Sequence, residues 1–209
     1  MLILIAEPLD SAAVKLLQQQ PGWDVVVSTP KEYAQHLAKA DALIVRSSVM
    51  VDGDVLKAAP KLRVIGRAGV GVDNIELPAA TAAGVLVMNT PGGNAVSVAE
   101  HTIALMLSLA RSIPRASAST KSGKWEKRKF MGTELRGKTL GIVGLGSIGR
   151  EVVKRAAAFE MRIIATDPYV HSQTAKDVGV ELVSLGALYE QSDYITLHTA
   201  LTPESNRML

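Results

Sequence analysis

Residues 139–168, TLGIVGLGSIGREVVKRAAAFEMRIIATDP, place a glycine-rich turn between an apolar run and an amphipathic segment. Gly144, Gly146 and Gly149 have the spacing G-x-G-x-x-G, directly after the apolar residues LGIV. In a strand–turn–helix unit the first glycine permits the tight turn, the second leaves room for a pyrophosphate, and the third lets the helix pack closely on the strand. The stretch therefore predicts a parallel βαβ unit with a phosphate cradle.

Two further features indicate which nucleotide this cradle binds. The amides of Ser147 and Ile148 begin the helix, where unpaired N–H groups and the helix dipole favour an anion. Asp167 ends the second strand, 18 residues after Gly149, where a carboxylate accepts hydrogen bonds from both ribose hydroxyls and repels a 2′-phosphate. We therefore predict NAD rather than NADP. The alternatives are S-adenosylmethionine, which uses a related cradle, and a glycine-rich turn beside a surface aspartate.

Short apolar runs alternate with helical segments along the chain, which predicts an α/β fold of doubly wound parallel sheets. The predicted strands are LILIAE, WDVVVS, ADALIVRS, LRVIGRAG and GVLVMNTP in the first half, and TLGIVG, RIIATD, VELV and YITLHT in the second. We predict two domains, residues 1–93 and 94–209. The segment NAVSVAEHTIALMLSLARSI is predicted to form one linking helix that is buried on most sides, and a polar, basic connector follows it.

Three loops at the carboxyl ends of first-half strands carry residues suited to anions: VRSSV, GRAGVGVDN and NTPGGN. Ligands bind at this edge of open α/β sheets. Gly69 and Gly71 flank Val70, so their amides are predicted to form a concave nest for a carboxylate. Arg46 and Arg67 are candidates for contacts to further anionic groups. Ordinary turn chemistry explains any one of these loops, but the three together predict a small acidic substrate.

Composition excludes several classes of function. The 209 residues contain no cysteine, which excludes disulfides, thiolate metal sites and cysteine nucleophiles and fits a cytoplasmic protein. No segment has zinc-ligand spacing such as H-E-x-x-H, so we predict no metal, and none is apolar over the length of a membrane span. Residues 111–138 hold nine basic side chains against two acidic ones. Because this run has no recognisable nucleic-acid motif, we predict a subunit-facing arm rather than a nucleic-acid site.

Two histidines require separate consideration. His101 lies within the predicted linking helix, where we expect a satisfied core residue rather than a catalytic base. His198 ends the last predicted strand, close to where a nicotinamide ribose would lie. Since alternate residues of a strand face opposite sides, the next residue, Thr199, is an equal candidate to face the cofactor.

Four segments have a familiar combination of motifs: VIGRAGVGVDNIELPAATAAGVLVMNTPGGN, AEHTIALMLSLAR, GKWEKRKFMGTELRGKTLGIVGLGSIGREV and DYITLHTALTPESNRML. Together they resemble the D-2-hydroxyacid dehydrogenase family over nearly the whole chain. The resemblance implies a flavodoxin-like substrate domain followed by a Rossmann NAD-binding domain that is incomplete at its C-terminus. The chain most resembles the members of this family that oxidise 3-phospho-D-glycerate to 3-phosphohydroxypyruvate with NAD, the first step of serine biosynthesis.

The resemblance also implies roles for individual positions. It places against NAD the residues Val70, Ser147, Ile148, Asp167 and Thr199, in addition to Gly144, Gly146 and Gly149 of the cradle. It places near the carboxylate and phosphate of a small anionic 2-hydroxy acid the residues Arg46, Ser47, Arg67, Gly69, Gly71 and Asn94. The arm around Trp125 is similar to a segment that reaches a neighbouring subunit, which implies a homodimer or higher homo-oligomer through residues 94–138.

In this family an arginine, a glutamate and a histidine carry out the chemistry, and all three are expected beyond the position of Leu209. We therefore expect the chain to be the front part of a longer enzyme and to show no turnover by itself. Two alternatives remain open from the sequence. One is a dehydrogenase for another D-2-hydroxy acid, such as glycerate, glyoxylate or lactate. The other is a non-catalytic, NAD-sensing protein resembling a transcriptional corepressor.

Overall fold

The computed structural model describes residues 1–200 and 202–208 of the chain. The chain divides into two compact units, Met1–Gly93 and Asn94–Leu209. Each unit contains one parallel sheet with helices in the connections between its strands. The α/β fold class predicted from the alternating apolar runs is confirmed.

The first unit contains a five-stranded parallel sheet of order β2-β1-β3-β4-β5. This is the order of flavodoxin-like folds, with the switch of direction between β1 and β3. The strands are β1 (Leu2–Ile5), β2 (Asp24–Val27), β3 (Ala42–Val45), β4 (Val64–Arg67) and β5 (Leu86–Met88). The inner strands β1 and β3 are almost wholly buried, as their apolar sequences predict. The edge strands β2 and β5 leave apolar side chains half-buried or exposed.

Two α-helices of the first unit begin after an aspartate whose side chain accepts hydrogen bonds from backbone amides. Asp10 caps α1 (Ser11–Gln18) by accepting from the amide of Ala12, and Asp52 caps α2 (Gly53–Ala58) by accepting from two amides. The helix α3 (Leu77–Ala82) has six residues and a proline in its first turn. Between β2 and β3 lies a 3₁₀ helix, Tyr33–Lys39.

The second unit contains a four-stranded parallel sheet of order β8-β7-β6-β9. Its strands are β6 (Thr139–Val143), β7 (Arg162–Thr166), β8 (Glu181–Leu182) and β9 (Tyr194–Leu197). The connecting helices are α6 (Ser147–Ala158), α7 (Ser172–Asp177) and α8 (Leu185–Gln191). All five residues of β6 are buried, and this strand pairs with β7 on one side and with β9 on the other. The arrangement is half of a Rossmann sheet, in agreement with the fold expected from the resemblance.

The predicted linking helix, residues 94–113, corresponds to α4 (Ala95–Ala110), and a second helix, α5 (Ile113–Lys121), follows it. Ser112 adopts a left-handed conformation with φ 50°, which ends α4, and Pro114 lies in the first turn of α5, where a missing N–H is tolerated. The helix α5 therefore occupies part of the segment that we expected to be an irregular connector.

The helix α4 buries only one stripe of residues. Ala99, Ile103 and Met106 pack into the same core cluster as Val152 and Ala156 of α6. The opposite side of α4 is exposed in this chain and includes Leu105, Leu109 and His101. The predictions that α4 is buried on most sides and that His101 is a core residue are therefore wrong within this chain.

In the described part of the chain, no individual helix combines the length and apolar composition that crossing a membrane requires. The pair α4 and α5 meets that composition only jointly, and the two are bent by 65°.

Candidate functional site

The turn between β6 and α6 has the backbone geometry that a phosphate cradle requires. Gly144 lies at φ 94°, a conformation that other residues rarely adopt, and a Cβ there would lie 2.6 Å from the carbonyl oxygen of His198. A Cβ on Gly149 would collide with the carbonyl oxygen of Gly144, so this position must lack a side chain for helix and strand to pack. A Cβ on Gly146 would meet no atom within 4 Å. The three glycines thus divide into two that packing demands and one beside open space.

The Leu145 peptide, at the centre of this turn, is held from both sides. Its N–H donates to Asp167 Oδ2 at 2.7 Å, and its carbonyl accepts from Nε of Arg150 at 3.1 Å. The other carboxylate oxygen of Asp167 accepts from the amide of Tyr169 at 2.8 Å. Asp167 is half-buried, so each oxygen retains a lone pair for a further donor. Asp167 therefore orders the turn in addition to the ribose contact predicted for it.

The first turn of α6 presents the amides of Ser147 and Ile148 without acceptors inside the helix. Gly146 precedes them with open space where a side chain would be, and Asp167 lies at the carboxyl end of the adjacent strand. A diphosphate would accept from these amides, and a ribose would donate to the carboxylate. The residues present therefore fit a dinucleotide.

Thr199 and His198 follow β9, which neighbours β6. A Cβ on Gly144 would lie 2.9 Å from Cγ2 of Thr199, so the exposed Thr199 borders the cradle, and its contact with a cofactor stays a prediction. His198 is half-buried, and its Nε2 lies 3.0 Å from Oγ1 of Thr196. Burial lowers the pKa of His198 below its ordinary value, so its imidazole is neutral at neutral pH. The structure thus places Thr199, rather than the His198 ring, on the exposed side of this segment.

In the first unit the loop that follows β3 is wrapped around a buried carboxylate. Glu7, just beyond β1, is 4% exposed. Its Oε1 accepts from the amides of Arg46 at 2.8 Å and Val49 at 3.0 Å, and its Oε2 accepts from the amide of Ser48 at 3.1 Å. Burial by itself would raise the pKa of Glu7, but these hydrogen bonds outweigh it and hold the pKa below its ordinary value of 4.5. Glu7 is therefore an anion at neutral pH.

Asn74 holds the same loop through its carbonyl groups. Its Nδ2 donates to the carbonyls of Arg46 at 2.9 Å and Val49 at 2.7 Å, and its Oδ1 accepts from Nε of Arg67 at 3.4 Å. Asn74 is 3% exposed. One buried amide thus joins the two arginine-bearing loops of this unit, at the carboxyl ends of neighbouring strands β3 and β4.

The loop that follows β4 differs from the predicted glycine nest. The amide of Gly69 donates to the carbonyl of Arg67 at 2.8 Å, and neither Gly69 nor Gly71 has a positive φ. A Cβ on Gly69 would collide with the Arg67 guanidinium, while one on Gly71 would lie 2.8 Å from Oδ1 of Asp73. The prediction of a nest with both amides turned outward is wrong for Gly69. Its lack of a side chain instead makes room for the guanidinium of Arg67.

Of the two arginines predicted to bind anions, Arg67 is more enclosed than Arg46. The Arg67 side chain is 13% exposed, and its Nη2 lies 4.0 Å from the exposed carboxylate of Asp73. With one hydrogen bond of 3.4 Å to Asn74, the charge is only weakly compensated by the described residues. The Arg46 side chain is exposed, and its Nη1 donates to the carbonyl of Pro8 at 3.4 Å.

The remaining predicted residues occupy the expected loops. Ser47 is exposed between Arg46 and Ser48, and the carbonyl of Val70 accepts from Nδ2 of Asn89 at 2.6 Å. Asn94 is the first residue of the second unit and precedes α4 with an exposed side chain that makes no cap to that helix. Binding by these residues stays a prediction.

Sequence reasoning missed three residues that organise these loops: Glu7, Asn74 and Arg150. Each is a polar residue beside a quoted motif, and each acts on backbone groups that are distant in sequence or in the preceding turn. For Glu7 the one local signal is a charged residue directly after an apolar strand, at the sheet edge where loops bind ligands.

Comparisons with known proteins agree with this geometry. Residues 103–209 match the family described as D-isomer specific 2-hydroxyacid dehydrogenase, NAD binding domain. The chain is 49% identical over 208 residues to D-3-phosphoglycerate dehydrogenase of Archaeoglobus fulgidus, covering 98% of this chain and 39% of that protein. The chain thus spans about two fifths of the length of the curated relative.

Solved structures give the same result for the fold. A protein of Thermus thermophilus superposes with a TM-score of 0.90 at 33% identity, over 99% of this chain and 67% of that one. D-lactate dehydrogenase of Aquifex aeolicus, complexed with NAD and lactic acid, superposes with a TM-score of 0.87 at 28% identity, over 100% of this chain and 63% of that one.

The lowered pKa of Glu7 predicts a pH dependence of stability. Because its folded-state pKa lies below 4.5, Glu7 contributes stability that is complete above that pH and is lost as pH falls through the folded-state pKa. We expect the difference in free energy of unfolding between the wild type and Glu7→Gln, which does not titrate, to shrink below about pH 4.5. Urea titrations between about pH 7 and pH 3.5 measure it. A difference that stays constant over this range would contradict the assignment.

Proposed function

The chain belongs to the D-isomer specific 2-hydroxyacid dehydrogenases, with residues 103–209 matching their NAD binding domain, and on that premise we propose its reaction. The full-length protein oxidises the C2 hydroxyl of 3-phospho-D-glycerate with NAD and forms 3-phosphohydroxypyruvate, the first step of serine biosynthesis. The coarser activity, a dehydrogenase of the family, follows from membership. The substrate is a proposal, supported by the 49% identity to a D-3-phosphoglycerate dehydrogenase.

The first unit supplies the groups that we assign to the acidic substrate. The supporting observation is that Asn74 joins the Arg46 loop to the weakly compensated guanidinium of Arg67. A substrate with both a carboxylate and a phosphate would use two such cations, since guanidinium groups bind either anion through paired N–H donors. We assign Ser47 and Gly71 to the same substrate, on the basis of the family resemblance.

The second unit supplies the groups that we assign to NAD. The amides of Ser147 and Ile148 hold the diphosphate, and the Asp167 carboxylate accepts from the adenosine ribose hydroxyls. Thr199 is assigned to the same cofactor. When bound, NAD would supply the acceptor for the hydride that leaves C2 of the hydroxy acid. The residues named here bind and orient the two reactants, and proton transfer is assigned to none of them.

Steady-state kinetics of the full-length protein test the proposed substrate. We expect NADH formation from 3-phospho-D-glycerate with a kcat/KM at least about tenfold above that for D-glycerate, because charged hydrogen bonds to the phosphate contribute roughly 1.5–3 kcal/mol each. Arg46→Gln should lower kcat/KM for the phosphorylated acid by a similar factor. Arg63→Gln is the matched control, because Arg63 precedes β4 at the opposite edge of the sheet.

Three results would overturn this substrate. Equal kcat/KM for 3-phospho-D-glycerate and D-glycerate would contradict the proposed phosphate site. A preference for D-lactate would identify a different dehydrogenase of the family. NAD binding without turnover of any of the three acids would favour the NAD-sensing alternative.

The affinity ratio for the two cofactors tests the ribose role of Asp167. Asp167→Ala should lower the affinity for NAD by about tenfold or more, because the ribose loses a charged acceptor. The affinity for NADP should fall much less, because the same change removes the repulsion between the carboxylate and the 2′-phosphate. Arg150→Ala is the control, since it loosens the Leu145 turn from the other side without touching a ribose acceptor. Calorimetric titration gives both dissociation constants. Equal losses of affinity for NAD and NADP in Asp167→Ala would contradict the ribose role and show that Asp167 acts only through its contact with the turn.

The exposed apolar side of α4 and the arm that follows α5 are assigned to a second copy of the chain. Leu109 is 75% exposed and Trp125 is 84% exposed, and Val96, Leu105, Ile113 and Met131 are exposed in the same part of the sequence. Apolar side chains that are this exposed on a monomer mark interaction surfaces when they lie together. The resemblance points to a homodimer or higher homo-oligomer through residues 94–138.

Sedimentation velocity tests the assignment to a second copy. Leu109→Glu should shift the full-length protein to a smaller species, because a charge buried in an interface is strongly unfavourable. Leu16→Glu is the matched control, on the 61% exposed Leu16 of α1. A wild type that sediments as a monomer, or a Leu109→Glu variant that keeps the wild-type size, would contradict the assignment.

A further inference from the structure

Glu7 is a buried anion to which the proposed reaction gives no task. It lies at the carboxyl edge of the first sheet, at 4% exposure, and accepts hydrogen bonds from backbone amides of the Arg46–Val49 loop. A charge is costly to bury unless hydrogen bonds compensate it.

The geometry shows a loop that is clamped by two side chains of opposite hydrogen-bonding character. The amides of Arg46 and Val49 donate to Glu7, while the carbonyls of the same two residues accept from Asn74. Both main-chain groups of each anchor residue are thus used inside the protein. Between the anchors, Ser47 and Ser48 are exposed, as is the side chain of Arg46. The clamp therefore determines which side chains of this loop face outward.

The carboxylate suits this clamp better than any neutral side chain of similar size. Three N–H groups converge on its two oxygens, and each oxygen has two lone pairs to offer. A glutamine would place an NH₂ group against at least one of those N–H donors. An apolar residue would leave all three amides without an acceptor in a buried place, which is the more costly error. The identity of the residue is thus tied to the shape of the loop.

We propose that Glu7 is a positioning residue for substrate binding: its buried carboxylate holds the Arg46–Val49 loop in the one conformation that presents Arg46 and Ser47 to the anionic substrate. The inference rests on the proposed function, because it deepens the role given to that loop. The positioning role and simple electrostatics predict opposite effects of removing the Glu7 charge. Removing a negative charge near a site for anions should strengthen anion binding by Coulomb's law, whereas losing the clamp should weaken it.

The experiment compares Glu7→Gln with wild type in the full-length protein. We expect the KM for 3-phospho-D-glycerate, and its dissociation constant by calorimetry, to rise about ten- to a hundredfold, because a displacement of about 1 Å in a positioning group has effects of that size. The KM for NAD should stay within about twofold. Glu7→Asp, which keeps the charge but shortens the reach, should recover part of the affinity.

Asp41→Asn is the matched control for a general loss of stability. Asp41 also accepts a backbone amide in this sheet, that of Leu2 at 2.7 Å, but at the edge opposite the Arg46–Val49 loop. The Asp41→Asn substitution should lower the melting temperature and leave the affinity for 3-phospho-D-glycerate unchanged. If Glu7→Gln does not fold, the same measurements on Glu7→Asp decide the question.

The outcomes separate the inference from the proposed function. Unchanged or tighter binding of 3-phospho-D-glycerate by a folded Glu7 variant would overturn the positioning role, as would an equal loss in Asp41→Asn. A wild type that binds the acid but does not oxidise it would overturn the proposed function and leave the positioning role to be judged by calorimetry. A wild type that does not bind it would overturn both.

Discussion

In both units, side-chain carboxylates accept the backbone N–H groups at the ends of the central strands. Asp41 accepts from the amide of Leu2 at 2.7 Å, and Asp193 accepts from the amide of Thr139 at 2.8 Å. Each aspartate directly precedes the strand that pairs with the one whose first amide it binds, β3 with β1 and β9 with β6. A buried N–H outside the regular ladder must find an acceptor. Two sheets with different sequences meet this requirement in the same way.

At the carboxyl edges of the two sheets, carboxylates that accept backbone amides have two different roles. Glu7 is enclosed by the loop whose amides it accepts, so it can act on a ligand only through the shape of that loop. Asp167 accepts the amides of Leu145 and Tyr169 but is only half-buried, so its oxygens stay accessible to a ligand. Burial therefore separates a carboxylate that organises a loop from one that can both organise a turn and bind. This difference could not be read from the sequence, where both are acids that follow an apolar strand.

The parts of the candidate site that were predictable depend on neighbours in sequence. The glycine spacing at Gly144, Gly146 and Gly149 is a local backbone requirement, and the structure shows for each glycine what a side chain would meet. The nest at Gly69 was wrong for a non-local reason. The space beside that glycine is taken by the guanidinium of Arg67, which Asn74 holds in place. Likewise, the apolar residues of α4 do not reveal which side is covered, because that depends on the packing of α6 against it.

The sequence by itself determined the alternating α/β architecture, the position of the glycine-rich turn and of the acid that follows the next strand, and the resemblance to the family, because hydrophobic periodicity and glycine spacing act over a few residues. Only the tertiary structure decided the partners of Glu7, Asn74 and Arg150, the exposure of α4 and the true use of Gly69. These depend on backbone groups that lie far apart in the chain, such as Glu7 and the amide of Arg46, 39 residues on. No local pattern specifies which buried N–H a given carboxylate meets, since that pairing exists only once the strands lie side by side.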